Sequence, residues 1–300
     1  MVNDAHCHFF STQFLATLGR QRGRADTVQD LCREIGWDDP GEPEALADRW
    51  VTELDAHGVN RAAIIASVPG DETSVASAVA RHPARLVGYF MVNAAAEDAV
   101  DRTRAALGAG ALRTVCLFPA MHHVALDDPR TLAVVAEAAG HGGAVFVHCG
   151  ALTIGVRKKL GLPSPFDLRL GDPLAVARLA AQFPSTPFIV PHFGAGAFRE
   201  ALMAADTCAN IYLDTSSSNG WVRYHPGLTL AGALRAALAV VGPSRLLFGT
   251  DSSFFPRGWQ RAIFDEQTRA IDELGISAAD RELIMAGNFD RIFGSAGGRE

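Results

Sequence analysis

The chain lacks any run of about 18 consecutive apolar residues, so none of its 300 residues reads as a membrane span. It also lacks surplus positive charge. Its 27 Lys and Arg against 33 Asp and Glu leave a formal charge of −6, which argues against nucleic acid as a partner, because phosphate binding needs a basic face. The five cysteines, Cys7, Cys32, Cys116, Cys149 and Cys208, are odd in number and mostly sit in apolar runs, which points to reduced thiols rather than a disulfide framework. No basic region followed by an apolar stretch and a small-residue cleavage site opens the chain, so the expected compartment is the cytoplasm. No Pro-, Gly- or Ser-rich linker divides it, and a single domain over 1–300 is expected. What is present is 48% hydrophobic and 20% charged residues with a mean hydropathy of +0.11, the balance of a globular protein with a large core.

Eight short runs rich in Val, Ile, Leu and Phe read as strands: 2–8, 61–67, 86–93, 114–119, 144–148, 188–192, 211–215 and 246–251. Amphipathic stretches at 44–57, 95–107, 129–139, 173–183, 196–205, 230–240 and 260–274 lie between or after them, and a last helix is expected over 278–292 behind a Ser277 cap. Strand and helix alternating about eight times predict an α/β fold, a single TIM-type (β/α)8 barrel. Insertions at about 10–43 and 151–172 follow the first and fifth strands, at the end of the barrel where active sites form.

The first strand carries Asp4-Ala5-His6-Cys7-His8. Side chains two apart share a face of a strand, so His6 and His8 can converge on one metal ion. Asp4 has the same parity and is expected deeper in the barrel, supporting the pair. Three more polar residues close apolar strands: His148 after Val145-Phe146-Val147, His192 after Ile189-Val190-Pro191, and Asp251 after Leu247-Phe248-Gly249-Thr250. One His at a strand end is more often a hydrogen-bonded residue than a ligand, and one Asp there can simply cap a helix. Four histidines and an aspartate meeting at one barrel mouth carry far more weight than any of them alone.

This pattern resembles the amidohydrolase superfamily, in particular the amidohydrolase-related branch that includes aminocarboxymuconate-semialdehyde decarboxylase. The resemblance spans nearly the whole chain and rests on Asp4-x-His6-x-His8, His148, Pro191-His192-Phe193-Gly194 and Phe248-Gly249-Thr250-Asp251. It implies one divalent metal, most often zinc, held by His6, His8, His148 and Asp251, with His192 beside the metal-bound water. Two-metal members carry a carboxylated Lys or a Glu at the end of the fourth strand. Here that strand reads Val115-Cys116-Leu117-Phe118-Pro119, which favours a mononuclear site. Many relatives also have Pro two positions after the aspartate, where this chain has Ser252 and Ser253.

A bound zinc brings its water to ionise near neutral pH, and the same donor set also accepts manganese, cobalt, nickel or iron. The expected activity is hydrolysis of a C–N or C–O bond in a small substrate, with Asp251 as ligand and base and His192 orienting the water or polarising a carbonyl. The alternative is non-oxidative decarboxylation, or another lyase reaction, of a small aromatic or muconate-like carboxylic acid. A third reading is a metal-binding barrel without catalysis. Candidate carboxylate-binding residues are Arg157, Lys158, Lys159 and Arg169 in the second insertion and Arg257 after the last strand, each equally readable as a solvated surface charge. His122, His123, Ser216, Ser217, Ser218, Asn219 and Trp221 are further candidates for the pocket wall, and Asp214 lies close by. Phe9, Phe10, Phe254, Phe255 and Trp259, with Trp221, would give an aromatic wall, core packing or a homo-oligomer contact.

Overall fold

In the computed structural model, which describes residues 1–24, 26–217 and 220–294, the eight apolar runs form one sheet of eight parallel strands. They are β1 (Asn3–Phe9), β2 (Arg61–Ala66), β3 (Leu86–Val92), β4 (Leu112–Leu117), β5 (Ala144–Val147), β6 (Phe188–Val190), β7 (Ile211–Asp214) and β8 (Leu246–Leu247), paired in chain order. The seam between β8 and β1 is closed by backbone bonds. Ala5 N donates to Phe248 O at 2.8 Å, Asp251 N to His6 O at 2.9 Å and His8 N to Ser252 O at 2.6 Å. The result is a nearly closed (β/α)8 barrel wrapped by helices, as the alternation predicts.

One expectation about β1 is corrected by its register. Asp4 pairs with Ala62 and Cys7 with Ile64, so Ala5 and His6 together oppose Ala63 across a bulge. The extra residue breaks the simple parity. His6 and His8 still point into the barrel mouth, whereas Asp4 faces the layer between barrel and helices, where its carboxylate accepts from Trp259 Nε1 at 2.8 Å and Thr250 Oγ1 at 2.6 Å. It also accepts from the backbone N–H groups of His6 and Thr250, at 2.9 and 3.1 Å. Asp4 therefore supports the site through the backbone of two strands rather than through a histidine ring.

Inside the barrel, Ala63, Ile65, Val87, Tyr89, Met91, Cys116, Phe146, Ile189 and Leu247 form a buried cluster. The C-terminal segment closes the lower end by adding Phe289 and Phe293 to it. That segment begins behind the expected cap, with Ser277 Oγ accepting from Asp280 N at 3.0 Å, but it is not one regular helix. A π-helical turn at Leu283–Gly287 separates Ala278–Glu282 from Asn288–Phe293, and the carbonyl of Ile284 in that turn accepts from Phe248 N of the last strand. A helix at Glu72–Arg81, packed on β3, was not anticipated, because its Thr, Ser and Ala content gives little apolar contrast.

The two insertions carry helices Thr12–Arg22, Val28–Ile35 and Gly155–Lys159. They share a separate apolar cluster that includes Phe14, Leu18, Leu31, Trp37, Val156 and Leu160. Arg157 Nη1 donates to Gln21 Oε1 at 2.5 Å and Lys159 Nζ to Ile35 O at 3.2 Å, tying one insertion to the other.

Candidate metal centre

Strand ends bring the predicted residues together, and their hydrogen bonds fix which ring nitrogens face inward. Ser67 Oγ donates to Ile65 O, so its contact with His8 Nδ1 at 2.7 Å must be donated by the ring. His8 Nε2 is then left with a lone pair. His6 Nδ1 likewise meets Asp214 Oδ2 at 2.8 Å, which turns His6 Nε2 inward as an acceptor. Both inward nitrogens face the same carboxylate oxygen, Asp251 Oδ1, at 3.0 Å from His8 and 3.7 Å from His6. Three acceptors converging without a donor require a cation or an added proton between them.

The electrostatics disfavour the proton on His8, because burial pushes its pKa down more strongly than Asp251 raises it. His148 is driven well below the ordinary histidine value by burial and by His192 and His6, and His192 is lowered by burial and by His6. His6 is the exception, since Asp214 and Asp251 outweigh its burial and raise it. Burial pushes Asp251 up, yet its histidine neighbours overcome that and hold the carboxyl well below the usual range. His8, His148 and His192 are thus neutral imidazoles beside an ionised carboxylate, donors that a borderline divalent cation prefers, and the two carboxylates that raise His6 would equally favour a metal ion in place of its proton.

The ligand atoms of His6, His8 and Asp251 lie within 4.8 Å of one another. His148 stands slightly apart from that triad. Its ring centroid is 5.3 Å from that of His192, which is in turn 4.8 Å from that of His6. Its buried Nδ1 has no hydrogen-bond partner among the described residues, the state expected of a nitrogen awaiting a ligand. Phe118 stacks on the ring at 5.3 Å and holds it in place.

Unusual backbone aims these groups. His192 and Asp251 both have left-handed conformations, with φ of 56° and 60°. Gly249 lets the chain pass between two of the residues involved. A Cβ there would stand 2.9 Å from that of Ser216 and 3.1 Å from that of His6. Gly150, at φ +68°, presses the loop after β5 onto the loop after β6, where a Cβ would clash with Gly194 O.

The candidate substrate residues separate by what they touch. Arg157 is committed to Pro163 O and Gln21, and Arg169 is paired with Asp167 on the surface. Lys158 is exposed, and Lys159 is held at Ile35 O. Arg257 lies at the mouth, with Nη2 donating to Ser253 Oγ at 2.6 Å and its guanidinium 4.5 Å from the centre of the Phe254 ring. Its charge reaches the site, where it depresses His8. Trp221 is buried against Phe193 and Phe198. His122 is lowered to about 4 by burial and His123, and lines a recess beside Phe118. Ser218 and Asn219 lie outside the described residues. Of the residues expected as an aromatic wall, Phe10 and Phe254 stand in a stack, Phe14 on Phe10 at 4.1 Å, Phe10 on Trp37 at 5.4 Å and Trp37 on Phe254 at 4.2 Å, with Phe10 beside His8, whereas Phe9, Trp221, Phe255 and Trp259 pack into the core between barrel and helices.

Sequence reasoning did not anticipate Ser67, and it left the roles of Asp214 and Ser216 open. Asp214 is fully buried and also accepts from the backbone N–H groups of His192 and Ser216, at 3.1 and 2.9 Å. Its place at the end of β7, level with the other strand-end groups, is the available signal.

Comparison with known proteins bears on the fold and the family. A 134-residue stretch is 32% identical to 2-keto-4-carboxy-3-hexenedioate hydratase of Sphingobium sp. (strain NBRC 103272 / SYK-6), and covers 40% of this chain and 37% of that one. In fold, the chain is similar to 5-carboxyvanillate decarboxylase from Sphingomonas paucimobilis, with a TM-score of 0.65 at 17% identity over 97% of this chain and 98% of the other. It is also similar to an amidohydrolase from Burkholderia multivorans with bound zinc, with a TM-score of 0.61 at 17% identity over 98% and 99% of the two chains. The family model described as Amidohydrolase matches residues 4–294, and the chain belongs to that family.

Proposed function

We propose that this chain is a mononuclear metal-dependent hydrolase acting on a C–N or C–O bond of a small carboxylic acid. The observation that carries the reading is the convergence of His6 Nε2, His8 Nε2 and the Asp251 carboxylate with no donor between them. These residues, with His148, would hold one divalent ion, and zinc suits their nitrogen and oxygen donors. Bound there, such an ion supplies Lewis acidity, making a water acidic enough to ionise near neutral pH and polarising a substrate carbonyl.

The chain's own residues do the rest. Asp251 is held ionised, so it is equipped to take a proton from the attacking water and return it to the leaving group. His192, uncharged, orients that water. Arg257 offers a guanidinium to a substrate carboxylate, and the stacked Phe10, Trp37 and Phe254 rings give an apolar wall beside it.

A second reading, lyase chemistry on a carboxylic acid by decarboxylation or hydration, is favoured by the segment similar to the hydratase. Zinc-loaded enzyme should be given a panel of lactones, amides and esters of aromatic and unsaturated carboxylic acids together with the parent acids. Hydrolysis is expected to form one new carboxylate per turnover, its proton being released from a lactone or ester and taken up by the amine from an amide, with turnover lost in Asp251→Asn and KM raised roughly tenfold or more in Arg257→Met. Carbon dioxide release, or loss of double-bond absorbance without a new carboxylate, would transfer the assignment to the lyase reading. Full turnover in Asp251→Asn would remove both.

A further inference from the structure

Ser216 sits at the centre of the site without facing the metal position. Its hydroxyl contacts three groups: Asp214 Oδ1 in a short hydrogen bond, His6 Nδ1 at 2.9 Å and His192 Nδ1 at 2.9 Å. A hydroxyl has one proton to give and can accept twice. Asp214 accepts from His6 Nδ1 and from the backbone N–H groups of His192 and Ser216, so it is an ionised carboxylate with nothing to donate. The Ser216 proton therefore goes to Asp214. Both imidazoles must then donate to Ser216 or to Asp214, and for His192 Nδ1 the closest partner among the described residues is Ser216 Oγ at 2.9 Å, with the Ser216 backbone carbonyl a weaker acceptor beside it.

We infer that Ser216, oriented by Asp214, is a positioning residue that locks His192 in the Nδ1–H tautomer and so presents its Nε2 lone pair to the reacting water. Without that acceptor, imidazole favours the opposite tautomer, in which Nε2 carries the hydrogen and would donate to the water rather than accept from it. The same carboxylate thus governs His192 twice, holding its left-handed backbone through the N–H and its ring through the Ser216 hydroxyl. Asp214 also sets the tautomer of His6, so one buried acid orders one proposed ligand and one proposed catalytic ring. Gly249 leaves just enough room for Ser216 beside His6, so the hydroxyl is held by close packing as well as by hydrogen bonds.

The inference rests on the proposed role of His192 facing the water, and it is tested without any substrate. Zinc-loaded protein labelled with 15N-histidine distinguishes protonated from lone-pair ring nitrogens by long-range proton–nitrogen correlation, and the His192 signals are those lost in His192→Asn. Wild type is expected to show Nδ1 protonated and Nε2 bare. In Ser216→Ala, zinc content is expected to stay at one equivalent, because His6 keeps Asp214, while the Nε2–H form of His192 appears. An Nε2–H signal in wild type, or identical His192 signals in both proteins, would overturn the inference. If Ser216→Ala does not fold, the wild-type spectrum decides alone. Once a substrate is known, kcat should fall about tenfold with KM unchanged, the size of one lost hydrogen bond. Failure to find any substrate would count against the proposed reaction and leave the tautomer result standing.

Discussion

The two ends of this barrel are built on opposite principles. At the lower end Phe289 and Phe293 pack edge to face at 4.9 Å beneath Tyr89, and the Arg61 guanidinium spans the Phe289 ring and Asp290. At the upper end the residues are His, Asp and Ser with unlike partners, and all six non-glycine residues of positive φ among those described, His123, His192, Phe193, Ala195, Ser217 and Asp251, lie in loops that follow strands there. Such conformations cost about 1–3 kcal/mol each, and they persist where surrounding structure imposes them. Stability is thus concentrated at the bottom and chemistry at the top, so removing a residue should have different consequences at the two ends.

The largest effect is expected from His6→Ala/His8→Ala. Elemental analysis should find about one equivalent of divalent metal in wild type and none in the double variant, whose metal-free form should still fold at a cost of about 1–3 kcal/mol for leaving Asp214 without its His6 partner. A double variant that keeps its metal would remove the top of the comparison. Phe289→Ala should do the reverse. It leaves a cavity in the lower plug and should cost about 3–5 kcal/mol in denaturant unfolding, while the folded fraction still binds one equivalent of metal. Equal loss of metal and of stability in both variants would mean that the two ends are not separable.

The same division governs how much could be read from sequence. Each strand was legible within a few residues because an inward- and outward-packed parallel strand is a continuous apolar run, and the site histidines were legible because they interrupt those runs at their ends. What escaped depends on backbone detail. The bulge at Ala5-His6 turns Asp4 to the other face, and no pattern of residue types in β1 announces an extra residue. Ser67, Asp214 and Ser216 are short polar residues after strands, identical in appearance to ordinary caps and turns. Only their partners mark them out. Arg157, Arg169 and Arg257 look alike in sequence, yet two are consumed by local bonds and one remains at the mouth.

A last test uses a second buried carboxylate, whose behaviour should run opposite to that of Asp251. Asp71 follows β2, accepts from Ser11 Oγ at 2.7 Å, and so secures the cap of the first inserted helix, where Ser11 also accepts from Phe14 N. Burial pushes its pKa up to about 6 against the hydrogen bond from Ser11, and Glu72 adds to the rise, although Glu72 is itself paired with Arg102. Among the described residues no cation offsets the burial of Asp71, whereas hydrogen bonding and the field of the histidines offset that of Asp251. Because the folded pKa lies above the unfolded value of about 3.9, the folded state holds a proton that the unfolded chain has released, and stability falls as pH rises from about 4 to about 6. The contribution is fully present below that window and gone above it, with a size of order 1–3 kcal/mol. Histidines lowered by burial act in the opposite direction, losing stability as pH falls below about 6.5, so the bare pH profile of the wild type mixes both. The difference between wild type and Asp71→Asn, measured by denaturant unfolding of the metal-free proteins from pH 4 to 7, isolates the carboxyl. Relative to the variant, wild type should lose stability steadily across the window and level off above pH 6, whereas parallel curves would mean that Asp71 ionises as an ordinary surface aspartate.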